Sequence, residues 1–322
     1  MATLRERLAY QRKTSCSRSP EFNETVKALT RLDGWHHLHK GVSICIQKDT
    51  MQAQAVLDKL RLLYFSAHLD MELSSISDCV FFDLETTGLS GGAGTIAFLA
   101  ALGRIENNSI VIRQYFLSDY PYESAFLQEL CARLAEAKYL VTYNGRSYDY
   151  PLLRTRCIMN GLAPPPELPH IDLVYTARSL WRKHLPDCSL HTVEALILGI
   201  KRALDIPGHL IPGLWFNFLR TQDMAGLEAV FVHNADDIKS LAELFLFIGS
   251  ALRDGRRLDT ADRYGHARLL ARIDPLAALH TLQEIEAINE KRTVRLLLWL
   301  YRRILPRQSY LQKRQELLYP QS

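Results

Sequence analysis

The order of the apolar segments between residues 79 and 174 limits this chain to an α/β fold. Three segments of strand type come first, at 79–84, 95–102 and 110–117, and the third is rich in β-branched and aromatic residues. A helical pattern, a strand, a second helical pattern and a fifth short strand follow. This alternation predicts a layered α/β domain with helices packed on one central sheet.

The regions on either side of this pattern predict mainly helices. Helical patterns occupy 51–64, 173–181, 190–200 and 225–248, and a short strand is predicted at 42–46. From residue 254 onward the apolar spacing is only helical. We therefore predict three regions: 1–74 of unknown role, an α/β domain at 75–250, and a basic, all-helical region at 251–322.

Charge is unevenly distributed along the chain. The 322 residues carry a net charge of +4, but residues 291–322 alone contain eight basic residues and one acidic residue. A basic end indicates an anionic partner, and the alternative is a solvated helix face. No apolar run approaches the roughly 18 residues of a membrane helix, and the first residues are charged rather than apolar. We expect a cytoplasmic protein with no membrane contact.

Carboxylates occur where the predicted elements bring side chains together. Asp83 and Glu85 end the first strand, and residues two apart in a strand point to the same side. Asp149 falls in the first turn of a helix. His233 and Asp237 are four residues apart, so they share one helix face. Taken singly, each has an ordinary explanation: a strand end, a helix cap and a surface ion pair.

Taken together, the four carboxylates have one chemical interpretation. Four hard oxygen ligands suit two Mg²⁺ or Mn²⁺ ions. Two such ions, about 3.5–4 Å apart, stabilise the attacking and leaving oxygens of a phosphoryl displacement. His233 is then expected to accept the proton of the attacking water, because imidazole titrates near neutral pH. Asp236 is an alternative to Asp237 as the fourth ligand.

These residues resemble the three motifs of the DEDD (DnaQ-like) 3′–5′ exonucleases, a superfamily with a ribonuclease H-like fold and two divalent metal ions. The resemblance is greatest to the YprB-like branch of predicted bacterial exonucleases. It covers roughly residues 75–250. The segments that carry it are ETTGLSGGAGT at 85–95, YNGRSYDYPLL at 143–153, HIDL at 170–173, DIPG at 205–208 and HNADD at 233–237.

The resemblance implies a role for each residue of the motifs. The catalytic residues it implies are Asp83, Glu85, Asp149, His233 and Asp237, and the four acids among them are the metal ligands. Substrate-binding roles are implied for Thr86, Gly88, Asn144 and Tyr148. The four-residue step from His233 to Asp237 is that of the tyrosine-type members, although the residue is a histidine. Asp172, in HIDL, is expected to cap the helix that follows it.

The function implied is metal-dependent hydrolysis of a nucleic acid from its 3′ end. Single-stranded or 3′-ended DNA is the favoured substrate, and RNA is the alternative. Two further alternatives are a structure-specific endonuclease of the same fold and a nucleic-acid-binding module without activity. The enzyme type also suggests a role in DNA repair with a helicase partner.

Overall fold

The computed structural model describes residues 34–39, 41–51, 75–88, 94–202, 206–254, 263–271, 274–283 and 290–318. The chain divides into two compact units. The first comprises Met1–Gln54, Ser75–Asp172 and Lys201–Glu243, and the second comprises Ala55–Ser74, Leu173–Ile200 and Leu244–Ser322. The helix predicted at 51–64 lies, beyond Met51, outside the described residues. The functional boundaries at 74 and 250 stay a prediction.

The first unit contains a mixed sheet, which in the described residues has seven strands. The order across the sheet is β1-β2-β5-β4-β3-β6-β7. Strands β3, β6 and β7 run parallel, and the other pairs are antiparallel. The strands are β1 (Trp35–His39), β2 (Val42–Thr50), β3 (Cys79–Thr86), β4 (Ala97–Glu106), β5 (Ser109–Leu117), β6 (Tyr139–Thr142) and β7 (His170–Asp172). The predicted α/β class with a mixed central sheet is confirmed.

Helices in the described residues follow the predicted order with two additions. They are α1 (Glu123–Leu134), α2 (Asp149–Met159), α3 (Leu173–Trp181), α4 (Leu190–Val193), α5 (Ile211–Thr221), α6 (Leu227–Asp254), α7 (Arg263–Leu270), α8 (Pro275–Gln283), α9 (Lys291–Ile304) and α10 (Arg307–Leu318). Helix α5 was not predicted from the sequence pattern, and α10 lies in the region predicted as all-helical without having been distinguished there as a separate helix. In the part of the chain that the structure describes, no helix is long and apolar enough to span a bilayer.

The core of the first unit combines apolar side chains of the sheet with those of α1, α2, α5 and the start of α6. Phe98 of β4 stacks on Trp215 of α5, with ring centroids 5.2 Å apart. The ring of Phe231 of α6 contacts that of Trp35 of β1, with ring centroids 4.4 Å apart. Strands β1 and β2 therefore belong to the same core as the strands that carry the motifs.

The described part of the second unit is helical, as predicted for the C-terminal region. Its core includes Leu270, Leu282, Leu297 and Leu300, which come from α7, α8 and α9. Most basic side chains of α9 and α10 are exposed. The charged end of the chain is thus a helical surface with a small apolar core of its own.

A two-residue turn joins the central strands β4 and β5. Asn107 and Asn108 both adopt a left-handed backbone conformation, with φ of 48° and 60°. Asparagine tolerates this conformation, which two-residue hairpin turns require. Asn107 and Asn108 lie between the second and third strand-type segments of the sequence, and the structure has them form this hairpin turn.

A glycine on β4 allows helix α6 to lie close to the sheet. A Cβ atom at Gly103 would come within 2.4 Å of Cγ2 of Ile238 on α6. Ile238 is fully buried and immediately follows Asp237. The absence of a side chain at Gly103 therefore sets the distance between the sheet and the helix that carries His233 and Asp237.

We expect Gly103→Ala to lower the free energy of unfolding by about 1–3 kcal/mol, because Ile238 is β-branched and fully packed. Gly213→Ala in α5 is the matched control, because its Cβ would meet nothing within 4 Å. Alanine at that helical position should be neutral or stabilising by up to about 1 kcal/mol. Urea unfolding of both variants checks the prediction. Equal effects of the two substitutions would contradict it.

Candidate active site

A cleft of about 360 Å³ lies where the parallel strands β3, β6 and β7 end. Carboxyl ends of parallel strands meet at one edge of a sheet, so the segments that follow them converge there. All nine residues to which the resemblance assigns a catalytic or substrate-binding role line this cleft. They are Asp83, Glu85, Thr86, Gly88, Asn144, Tyr148, Asp149, His233 and Asp237.

A chain of buried amides orients Asp83. Asn234 of α6 donates from Nδ2 to Oδ2 of Asp83 at 2.8 Å, and its Oδ1 accepts a hydrogen bond from Nε2 of Gln114 at 3.1 Å. Gln114 also donates to the backbone oxygen of Phe231 at 2.7 Å. Asn234 and Gln114 are both fully buried. Sequence reasoning missed both residues, because Gln114 looks like an ordinary strand residue.

The loop after β6 holds Asp149 in the cleft. A Cβ at Gly145 would lie 2.7 Å from Oδ2 of Asp149, so only glycine leaves room for this carboxylate. Asn144, with φ of 65°, donates its backbone N–H to Oδ1 of Asp172 at 2.6 Å. The N–H of Arg146 reaches Oδ2 of Asp172 at 3.0 Å.

The prediction that Asp172 caps the helix after it stays a prediction. Its side chain accepts hydrogen bonds from the loop after β6, because β6 and β7 are adjacent parallel strands. Asp172 is buried and holds this loop, and it is not among the residues that line the cleft.

Glu85, His233 and Asp237 form the tightest group in the cleft. Nε2 of His233 is 3.6 Å from Oδ2 of Asp237 and 3.8 Å from Oε1 of Glu85. One ligand atom from each of the three residues lies within 4.8 Å of the others, close enough to hold a metal ion. Their side chains are 13–17% exposed. The shared helix face predicted for His233 and Asp237 is confirmed.

An arginine that sequence reasoning missed also lies in this group. Arg202 forms an ion pair with Oδ1 of Asp237, and its Nη1 is 3.1 Å from Nδ1 of His233. Its side chain is only 4% exposed. Arg202 is 31 residues before His233 and outside any helix or strand, so no periodic pattern connects the two residues.

Asp236 does not compete with Asp237 for the cleft. Its Oδ1 lies 3.4 Å from Nζ of Lys239, one turn further along α6. Asp236 is not among the residues that line the cleft. The geometry thus favours Asp237 as the fourth acid.

Burial, and then repulsion between neighbouring acids, raises the pKa of Asp83, Glu85 and Asp149. Burial raises the pKa of Asp83 well above its ordinary value, and Asp237 and Asp149 raise it further. Burial also raises the pKa of Glu85 well above its ordinary value, and the charges of Asp83 and Asp237 raise it further. Burial, followed by repulsion from Asp172 and Asp237, raises the pKa of Asp149 to about 7. Such repulsion is relieved when a cation binds.

The four residues expected to bind substrate differ in exposure. Thr86 is half-buried and donates its hydroxyl hydrogen to the backbone oxygen of Gly88 at 2.8 Å. Tyr148 is 52% exposed at the rim of the cleft. Asn144 adopts the left-handed conformation already described. Opposite them, Ile211 and Pro212, at the start of α5, also line the cleft.

Comparison with known protein families agrees with this fold and site. Residues 80–247, more than half of the chain, match the model of the RNase_H superfamily. The chain therefore belongs to the RNase_H superfamily, and the ribonuclease H-like fold implied by its motifs is confirmed.

Within curated proteins, this chain is similar to YprB, an uncharacterised protein of Bacillus subtilis (strain 168). The two are 38% identical over 174 residues, which is 53% of this chain and 42% of YprB. The matched part thus spans less than half the length of that relative. The resemblance to a YprB-like branch, stated on the motifs, is confirmed.

Three solved structures show partial similarity to this chain at low sequence identity. The family B DNA polymerase of Pyrobaculum calidifontis is 15% identical, with a TM-score of 0.44 over 69% of this chain and 28% of its own. A structure of exonuclease I is 18% identical, with a TM-score of 0.35 over 61% and 45%. E. coli exonuclease I in complex with a dT13 oligonucleotide is 18% identical, with a TM-score of 0.32 over 48% and 43%.

The raised pKa of Asp149 predicts how the stability of the metal-free protein depends on pH. The folded state holds this proton up to about pH 7, whereas the ordinary pKa is 3.8. The contribution of Asp149 to the free energy of unfolding is therefore greatest below pH 4. It decreases as the pH rises towards 7, by up to about 1.4 kcal/mol per pH unit. We expect Asp149→Asn to reduce this loss.

Urea unfolding at pH 5 and pH 8 in EDTA, for the native protein and Asp149→Asn, measures the effect. Glu106→Gln, at an exposed position at the end of β4, is the control and should keep the native pH dependence. The prediction fails if Asp149→Asn loses as much stability between the two pH values as the native protein does.

Proposed function

We propose that this protein is a metal-dependent 3′–5′ exonuclease that hydrolyses phosphodiester bonds by a two-metal mechanism, with DNA as the favoured substrate. One observation carries the proposal: Asp83, Glu85, Asp149, His233 and Asp237 line a single cleft. Three separate stretches of the chain supply these residues, in the order of the DEDD motifs. Membership of the RNase_H superfamily supports a nuclease acting on nucleic acid.

The residues present fit a pair of hard divalent cations. Four carboxylates supply oxygen ligands, and Mg²⁺ and Mn²⁺ prefer such ligands. The raised pKa values of Asp83, Glu85 and Asp149 show that the acids are crowded and poorly solvated, a cost that cations would offset. When bound, the ions supply Lewis-acid stabilisation of the charge that develops on the scissile phosphate.

The protein's own groups position the substrate and move the proton. Nε2 of His233 is the ring nitrogen that faces Glu85 and Asp237, so it is placed to accept the proton of an attacking water. The exposed ring of Tyr148 at the rim offers a face on which a terminal base stacks. Asn234 keeps Asp83 in one orientation through its hydrogen bond.

One feature of the chain bears on the nature of the substrate. The basic helices α9 and α10 would bind phosphates, a contact that DNA and RNA both provide. RNA is the alternative substrate, and a contact to the 2′-hydroxyl would distinguish it. The helicase partner and the role in DNA repair stay predictions.

Hydrolysis should require both divalent metal and Asp83. We expect the native protein to shorten 5′-labelled single-stranded DNA from its 3′ end in Mg²⁺ or Mn²⁺, and EDTA to abolish the reaction. Asp83→Asn should be inactive yet fold, because the amide keeps the shape and can still accept from Asn234. Its metal-free form should be at least as stable as the native protein, since a like charge is removed.

Parallel reactions on double-stranded DNA, on RNA and on 3′-blocked DNA identify the substrate and the direction of attack. Full activity in EDTA would rule out the metal mechanism. Cleavage of 3′-blocked DNA at internal bonds would contradict the exonuclease proposal and support the endonuclease alternative. Binding without cleavage by the metal-loaded native protein would favour the inactive binding module.

His233 should contribute to the rate far more than to metal or substrate binding. We expect His233→Ala to lower the rate by about 10²–10⁴, the usual effect of losing a general acid or base. His233→Tyr should retain more activity than the alanine variant, because the four-residue helix spacing suits a phenol. Its pH profile should move to alkaline values, since tyrosine titrates near 10 and histidine near 6.5.

Metal titration of the same variants separates the two roles that the geometry allows the imidazole. Unchanged Mn²⁺ affinity in His233→Ala supports proton transfer. A large loss of affinity would make His233 a metal ligand, as its place in the three-residue group with Glu85 and Asp237 permits. A native rate in His233→Ala across the pH range would exclude both roles.

A further inference from the structure

Arg202 contacts two of the side chains that the proposed reaction needs. Its guanidinium forms an ion pair with Oδ1 of Asp237, and its Nη1 lies 3.1 Å from Nδ1 of His233. The side chain is 96% buried within the first unit, so this is not a loosely held surface pair. A carboxylate that accepts from arginine offers fewer lone pairs to a metal ion.

The contact with His233 also determines where the imidazole carries its proton. Arginine has only N–H donors, so Nδ1 of His233 must be the acceptor. In the neutral ring the hydrogen then lies on Nε2, the nitrogen 3.6–3.8 Å from the carboxylates of Asp237 and Glu85. A ring with its hydrogen on Nε2 can neither take a proton there nor bind a metal ion there. In this arrangement His233 is unable to serve the reaction.

We propose that Arg202 is an internal counter-ion that competes with divalent metal for Asp237 and holds His233 in an inactive tautomer until the metal displaces it. The inference rests on the proposed metal centre and adds a control on its loading. Metal binding at Asp237 and release of the guanidinium are then one event. Once the guanidinium has left, Nε2 can release its hydrogen to solvent and Nδ1 can take one from solvent, after which Nε2 is free to accept a proton.

Competition of this kind predicts that the native site binds metal more weakly than its four acids alone would. A charge-assisted hydrogen bond is broken each time the metal enters. We expect Arg202→Gln to bind Mn²⁺ about 10- to 100-fold more tightly than the native protein in the absence of nucleic acid. Arg202→Lys, which keeps the charge but not the two-pronged geometry, should lie between them.

The measurement is Mn²⁺ binding followed by the electron paramagnetic resonance signal of the free ion, with Mg²⁺ as competitor. Arg146→Gln is the matched control, because it removes one positive charge from an exposed side chain in the loop after β6. Its affinity for Mn²⁺ should stay within about threefold of native, because an exposed charge is screened by solvent. An unchanged or weaker affinity in Arg202→Gln overturns the proposal.

The native protein supplies a second test that needs no substitution at the buried arginine. Nitrogen-15 spectra, with the His233 signals assigned by comparison with His233→Ala, should show the ring hydrogen on Nε2 without metal. Saturating Mg²⁺ should move it to Nδ1. The same tautomer in both states would contradict displacement, even if Arg202→Gln failed to fold.

The outcomes also distinguish this inference from the proposed function. Tighter Mn²⁺ binding by Arg202→Gln with no hydrolysis by any variant would support the competition and refute the exonuclease. Hydrolysis by the native protein, with equal Mn²⁺ affinity in the native protein and Arg202→Gln, would refute the competition and leave the exonuclease in place.

Discussion

Repulsion among buried carboxylates is the constraint around which the first unit is built. Asp83 and Glu85 lie at the end of a strand in the middle of a buried sheet, where charged groups are poorly solvated. Asp149 and Asp237 approach them from two helices. A fold that brings these acids together needs contacts that compensate their charge. In the described residues these contacts are neutral hydrogen-bond donors and the guanidinium of Arg202.

The two kinds of compensation have different consequences. The amides of Asn234 and Gln114 and the backbone donors of the loop after β6 hold Asp83 and Asp172 without changing the net charge. Arg202 does change it, because its guanidinium forms an ion pair with Asp237, the contact that we propose a metal ion replaces. The neutral contacts therefore organise the site permanently, whereas the arginine contact is one that binding can exchange.

Sequence patterns revealed the acids because each depends on a short-range rule. Side chains two residues apart on a strand, or four apart on a helix, lie on the same side of that element. The carboxyl ends of parallel strands meet at one edge of the sheet. Arg202 and Gln114 follow no such rule, since tertiary packing alone brings them to residues far away in the chain. Helix α5 was missed because Pro212 and Gly213 near its start resemble a turn. The contact of Asp172 with the loop after β6 follows no local rule either, because it depends on the adjacency of β6 and β7.

The Asn107–Asn108 turn has a consequence for how the chain acquires its structure. Strands β4 and β5 close through only two residues and lie in the centre of the sheet, so they can pair early, at little cost in loop entropy. Strand β3 then adds to an edge of this hairpin, whereas α6 comes about 120 residues later in the chain and forms contacts of high sequence separation. We therefore expect the acidic cluster to be completed late in folding, after the sheet has grown, which shortens the time its charges face one another in a partly folded chain.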